Sequence, residues 1–199
     1  ASLDASFAAT ARKRANDALV RKIDKAAAYT SPLPPCDLLL PLGYDYDTVA
    51  LGVGSLYPTQ DDWMRETIDF MARVHPTMNV VVRQHPEEAA SPSPENVALL
   101  AELDARGLPH LRTMRASERI PVYGLLQKAR VCVACQSTVV LEAQMLGLPT
   151  VSMRDTYYVA AGAITRPQTK ESYFNWLDAN LRAPATIAQA ARDAAALSY

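Results

Sequence analysis

The sequence predicts an α/β fold, a Rossmann-like doubly wound parallel sheet with an N-terminal helix and C-terminal helices. Three observations predict it. Short apolar runs alternate with helical segments. The runs are continuous, as in Val80-Val81-Val82 and Val131-Cys132-Val133-Ala134, not apolar–polar alternations. Several helical segments close on Gly or Pro. Strands of this kind between helices mark a parallel sheet covered on both faces. Ligands of such sheets sit beyond the carboxyl ends of the strands, so the loops after Leu42, Val82 and Ala134 are the places to look.

The elements follow in order. Residues 4–28 are Ala-rich, and Phe7, Ala11, Ala15, Ala18 and Ile23 give a weak apolar stripe. This predicts a long surface helix, or one that packs on something outside the chain. Ser31-Pro32-Leu33-Pro34-Pro35 interrupts it. Asp37 to Leu42 reads as a buried strand and Thr48 to Gly52 as a weaker one. Residues 58–74 read as a helix carrying Trp63, Ile68, Phe70, Met71 and Val74, with Asp61-Asp62 favoured near its positive end. Asn79 to Arg83 is a strand. Ser93-Pro94-Glu95 opens a helix that Gly107 stops. His110 to Arg112 is a marginal strand, 121–129 a short helix and 131–134 a strand. Residues 137–146 form a helix closed by Gly147 and Pro149. A strand at 150–153 and helices near 169–181 and 184–197 complete the chain. The expected division is an N-terminal helix over 1–30, a Rossmann-like body over 36–182 and a C-terminal helix over 183–199.

Composition narrows the function. The chain has 199 residues, 49% hydrophobic and 21% charged, which suits a globular domain and argues against disorder. Twenty basic and 21 acidic residues give a net charge of -1, without the basic excess of a duplex-binding protein, so no nucleic-acid partner is expected. No run of about 18 apolar residues offers a membrane span. No leader pattern opens the sequence, and its first residues are Ala-Ser, so a processed or excised chain is expected. Three cysteines are too few for a disulfide framework, and a reducing cytoplasmic compartment is the simpler expectation.

Candidate chemistry lies in the loops. Arg83-Gln84-His85-Pro86 directly follows a strand; Pro86 fixes the backbone after His85, which can donate to a phosphate oxygen, and Arg83 can add charge. A ligand-free turn histidine is the alternative. Gln136-Ser137-Thr138 leads into a helix, where hydroxyls and free amides can hold a phosphate, or simply cap the helix. Glu142 lies one turn after Thr138 among apolar neighbours, so its carboxylate needs either ribose hydroxyls or an internal salt bridge. Asp45-Tyr46-Asp47 could hold a divalent cation against a diphosphate, but so short a pattern is often accidental, and no metal is expected. Cys132-Val133-Ala134-Cys135 has C-x-x-C spacing inside a strand, the wrong place for a redox pair. Gly52-Val53-Gly54 lacks the third glycine of a dinucleotide fingerprint, with Tyr57 in its place.

Together, Val80 to Pro86, Gln136 to Ala143 and Leu146 to Val151 resemble the carboxyl-terminal half of bacterial capsule polysaccharide glycosyltransferases, the Kdo- and sialic-acid-transferring GT-B enzymes among them. Leu38 to Leu42 with its following Asp, Tyr157-Tyr158, Gly162 and Pro167 to Tyr173 also resemble that half. The resemblance implies half of a GT-B fold that binds the nucleotide of an activated sugar, with CMP-sugars such as CMP-Kdo favoured and no further cofactor. His85 would contact the nucleotide, Ser137 and Thr138 its phosphate, and Glu142 the ribose or its loop; Arg83, Pro86 and Gln136 complete the expected binding set. The expected partners are a nucleotide-sugar donor, a glycan or glycolipid acceptor, and an acceptor domain or partner chain supplying the catalytic base. Peripheral association with the inner membrane is compatible with that role. A polyol-phosphate transferase, a nucleotide-sugar epimerase and a non-catalytic interaction module are the alternatives.

Overall fold

The structure is a computed structural model that describes residues 2–43 and 55–199. The expected strand at Thr48 to Gly52, Asp45-Tyr46-Asp47 and Gly52-Val53-Gly54 lie outside the described residues.

Five strands form one parallel sheet in the order β3-β2-β1-β4-β5. They are β1 (Leu38–Pro41), β2 (Val80–Arg83), β3 (Leu111–Met114), β4 (Val131–Ala134) and β5 (Thr150–Ser152). Every residue of β1, β2, β4 and β5 is buried. Only β3, at the edge, keeps partly exposed positions, which is why it reads so weakly in sequence.

Helices cover both faces. Helices α2 (Gln60–Val74), α3 (Pro94–Ala105) and α7 (Lys170–Arg182) pack Trp63, Ile68, Leu100, Leu103, Tyr173 and Leu177 against Leu38, Leu40, Val80, Val82, Val131 and Val133. The opposite face carries Leu39, Val81, Cys132 and Ala134. It is covered by α1 (Ser2–Ala27), α4 (Val122–Leu126), α5 (Val139–Met145), α6 (Tyr157–Ala160) and α8 (Gln189–Ser198). Period-2 alternation sends successive side chains to opposite layers, so both must be apolar.

The helix ends are chemically specified. Thr59, Ser93 and Thr169 cap α2, α3 and α7 by accepting from the amides of Asp62, Asn96 and Ser172. Asp61 and Asp62 occupy the first turn of α2, as the dipole favours. Gly107 and Gly147 follow α3 and α5 with φ of 60° and 86°, a conformation that costs glycine least.

The amino-terminal helix forms as expected, and its partner lies within the chain. It packs on α4 and α8 of this same chain through Ala15, Leu19 and Ile23, while Phe7 is 78% exposed. Among the described residues, no helix is long and apolar enough to cross a membrane.

Candidate functional site at the strand carboxyl ends

The sheet order places a switch point between β1 and β4. From β1, one crossover leads to β2 and the chain later returns to β4 on the other side. The loops after these two strands therefore part over a crevice, the general ligand position of open α/β sheets. Gly43, beyond β1, lies so close to the loop after β4 that a Cβ there would stand 3.0 Å from the Gln136 carbonyl oxygen and 3.3 Å from Gln60 Oε1. Only glycine leaves this approach open without displacement.

A buried polar network fixes the β1 and β2 loops to each other. Gln60 Oε1 accepts from the Gly43 amide at 2.7 Å and Gln60 Nε2 donates to Asn96 Oδ1 at 3.0 Å. Asn96 Nδ2 donates to the Gly43 carbonyl at 3.0 Å and to Glu88 Oε1 at 2.8 Å. Glu88, 1% exposed, also accepts from Gln84 Nε2 at 2.8 Å and from the amides of His85 and Ser93 at 3.3 and 3.2 Å. Gln84 Oε1 in turn takes the Ala116 amide. A fully bonded network of this kind rigidifies what it connects. Gln60, Glu88 and Asn96 were not read from sequence, because each lies on a helical segment whose polar positions look like ordinary surface.

His85 is half-buried and heads a 3-10 turn, Pro86–Ala89, with Nδ1 accepting from the Glu87 amide at 3.3 Å. Pro86, exposed, occupies the first position of that turn. The network thus ties the His85 loop to Gly43.

Arg83 is corrected. It is 7% exposed, and its Nη1 donates to the Gln84 carbonyl at 3.0 Å and its Nη2 to the Ile120 carbonyl at 2.5 Å. Burial pulls its pKa down. The alternation that buries Val80 and Val82 in one layer sends Val81 and Arg83 to the other, so the guanidinium joins the Gln84 carbonyl just after β2 to the segment before α4.

In the β4 loop the Ser137 amide, and the Val139 amide just after it, are bonded within the protein. The Ser137 amide donates to the Tyr158 hydroxyl at 3.1 Å, and that hydroxyl also reaches the Ser137 carbonyl at 3.2 Å. Ser137 Oγ accepts from the Val139 amide at 3.3 Å. Thr138 is exposed and in helical conformation, and its side chain makes no capping bond. Gln136 Oε1 accepts from Arg154 Nη1 at 3.3 Å.

Glu142 also finds its partners inside the protein. Its Oε1 accepts from Lys22 Nζ at 2.6 Å and from the hydroxyls of Tyr123 and Tyr199 at 2.8 and 2.7 Å. The internal salt bridge is present, with Glu142 facing Lys22 of α1, Tyr123 of α4 and Tyr199. Among the described residues, no group of three or more His, Cys, Asp or Glu side chains is placed to hold a metal ion.

Neither a family model nor a curated protein matches the sequence. Solved structures do match its fold. The UDP-GlcNAc 2-epimerase from Neisseria meningitidis, solved bound to UDP-GlcNAc, aligns with a TM-score of 0.58 and 17% identity over 90% of this chain. The chain has the fold of one half of a GT-B protein. It spans 50% of the epimerase's length. The wall teichoic acid polymerase TagF aligns over 92% of this chain and 43% of its own, with 14% identity and a TM-score of 0.48.

Proposed function

We propose that this chain is the nucleotide-sugar-binding half of a two-domain GT-B glycosyltransferase, with the donor seated across the carboxyl ends of β1 and β4. The observation that carries this reading is the close approach of Gly43 to Gln136 at the switch point, flanked by the His85 loop, Thr138 and Arg154.

The chemistry divides accordingly. The acceptor oxygen attacks the anomeric carbon, the bond from that carbon to the phosphate oxygen breaks, and the electron pair leaves with the nucleotide phosphate. In this reading His85 and the Thr138 hydroxyl stabilise that leaving group. Proton removal from the acceptor falls to a base in the other half. A CMP-sugar donor and a surface-polysaccharide acceptor follow from the resemblance carried by His85-Pro86 and Ser137-Thr138. A UDP-sugar epimerase is the second reading, favoured by the fold shared with the UDP-GlcNAc-bound epimerase.

The test is a melting screen with CMP, CDP, UMP, UDP, GDP and NAD, with and without magnesium. A ligand at 100 times its Kd adds about 2.7 kcal/mol, or roughly 5–10 °C for a domain of this size. A selective rise with CMP that His85→Ala abolishes supports the transferase; selectivity for UDP favours the second reading. No rise with any nucleotide overturns both and leaves an interaction module.

A further inference from the structure

A nucleotide-sugar brings phosphate charge, and several nearby groups that could answer it are engaged within the protein. On α5, only seven residues long, the Ser137 and Val139 amides are taken by Tyr158 and by Ser137 Oγ. The Val140 and Leu141 amides bond to the Ser137 and Thr138 carbonyls. Arg83 is turned to the other layer. Arg166 is held by Asp155 at 2.6 Å and Arg115 by Asp104 at 2.6 Å.

Arg154 differs from all of these. It stands just beyond β5, its backbone fixed because the preceding Met153 amide donates to the Ala134 carbonyl at 3.0 Å, and it bridges to Ser55. Its half-buried side chain crosses to the β4 loop, where Nη1 meets the neutral Gln136 amide oxygen at 3.3 Å. Its other side-chain neighbour is the buried Cys135 thiol, and among the described residues it forms no ion pair with a carboxylate. It is therefore a positioned cation beside the residue whose carbonyl faces Gly43.

We infer that Arg154 binds the phosphate of the donor nucleotide, with Gln136 setting its position. This rests on the donor-site reading above. A guanidinium presents a planar fork of donors that fits two phosphate oxygens at once, and a phosphate adds the opposite charge that the neutral Gln136 amide lacks. Arg154 then adds to the discrimination of nucleotides from nucleosides that His85 and Thr138 supply in the donor-site reading.

The experiment is calorimetric titration of the 199-residue chain with CMP and UDP, with cytidine and uridine as phosphate-free controls. Arg154→Gln is expected to weaken nucleotide binding by about 10- to 100-fold, the range for a hydrogen bond to a charged group. It should leave nucleoside binding unchanged and flatten the salt dependence. Arg154→Lys restores only part of the affinity, because an ammonium is a point charge; should Arg154→Gln fail to fold, the lysine variant read against the nucleosides decides in its place. Equal nucleotide affinity in wild type and variant overturns the assignment and leaves the donor-site reading standing. So does a loss shared equally by nucleosides, which makes Arg154 structural. If the wild type binds no nucleotide, the donor-site reading falls, and this inference with it.

Discussion

Lys22 and Glu142 meet at 2.6 Å across the seam between α1 and α5. The carboxylate is 3% exposed, while the lysine side chain remains 43% exposed. Tyr123 and Tyr199 complete the shell, and Lys22 also donates to the Tyr199 hydroxyl. One buried oxygen thereby gathers α1, α4, α5 and the chain's last residue.

Glu142→Gln is expected to lower stability by about 1–3 kcal/mol, less than for a wholly buried pair because Lys22 can regain water. Urea unfolding measures this, and limited proteolysis of α1 should quicken in parallel. Burial acts to lower the Lys22 pKa, but its bonds to Glu142, Tyr199 and Tyr123 outweigh it and raise the pKa above the ordinary 10.5. The contribution is therefore fully present below that pH and is lost only as pH climbs through the raised value. An unchanged unfolding midpoint in Glu142→Gln would show that the seam is held by apolar packing alone.

Gly43→Ala tests the crevice. The added methyl meets the Gln136 carbonyl at 3.0 Å, so the β1 and β4 loops must separate by a few tenths of an ångström. Nucleotide affinity is expected to fall by about tenfold with a stability loss near 1 kcal/mol. Titration beside a melting curve separates the two, and an affinity equal to wild type would place the ligand elsewhere.

Asn96→Ala tests the network. It strips Glu88 Oε1 of its shortest bond and leaves Gln60 Nε2 and the Gly43 carbonyl without Asn96. The expected cost is about 2–4 kcal/mol, since several buried polar groups lose a partner together. Chemical denaturation gives the value, and a loss below 0.5 kcal/mol would mean that water replaces the amide with ease.

The thiols offer a pH test. Burial pushes Cys36 up to about 12 and Cys135 up to about 11, the Cys135 value moderated by Arg154. Cys132, wholly enclosed, is also raised. Native protein at pH 8 should resist thiol reagents, with all three cysteines reacting after denaturation. The folded state holds its thiol protons longer than the unfolded chain, so stability falls as pH rises from about 9 toward 11. Rapid labelling of any native thiol would contradict this burial.

The fold was legible where burial leaves no choice. Runs such as Leu38-Leu39-Leu40 and Val131-Cys132-Val133 have both faces enclosed, so local composition alone identifies them. Helix α1 was harder: in an Ala-rich helix several faces are nearly equally apolar, and the packed one runs through Leu19 and Ala26 instead of Phe7. Helix α6 has four residues, too few for a helical period to show. The site was half-legible. His85, Gln136 and Thr138 follow from strand ends. Arg154 is a single cation with no motif around it, and the partners of Glu142 come from remote segments. The approach of Gly43 to Gln136 depends on strand order, which no local window contains.

The central position of β1 has a consequence for how the chain is made. Leu38 and Leu39 pair with Val80 and Val81 on one side and with Val131 and Cys132 on the other. The first pairing closes a moderate loop; the second must wait until β4 has been made, and it closes a longer one at greater entropic cost. During synthesis, β1 therefore waits with one hydrogen-bonding edge bare and one of the most apolar segments of the protein behind it. That interval, more than any weakness of the finished sheet, is when this protein is most exposed to aggregation, and a chaperone that shields strand edges would act then.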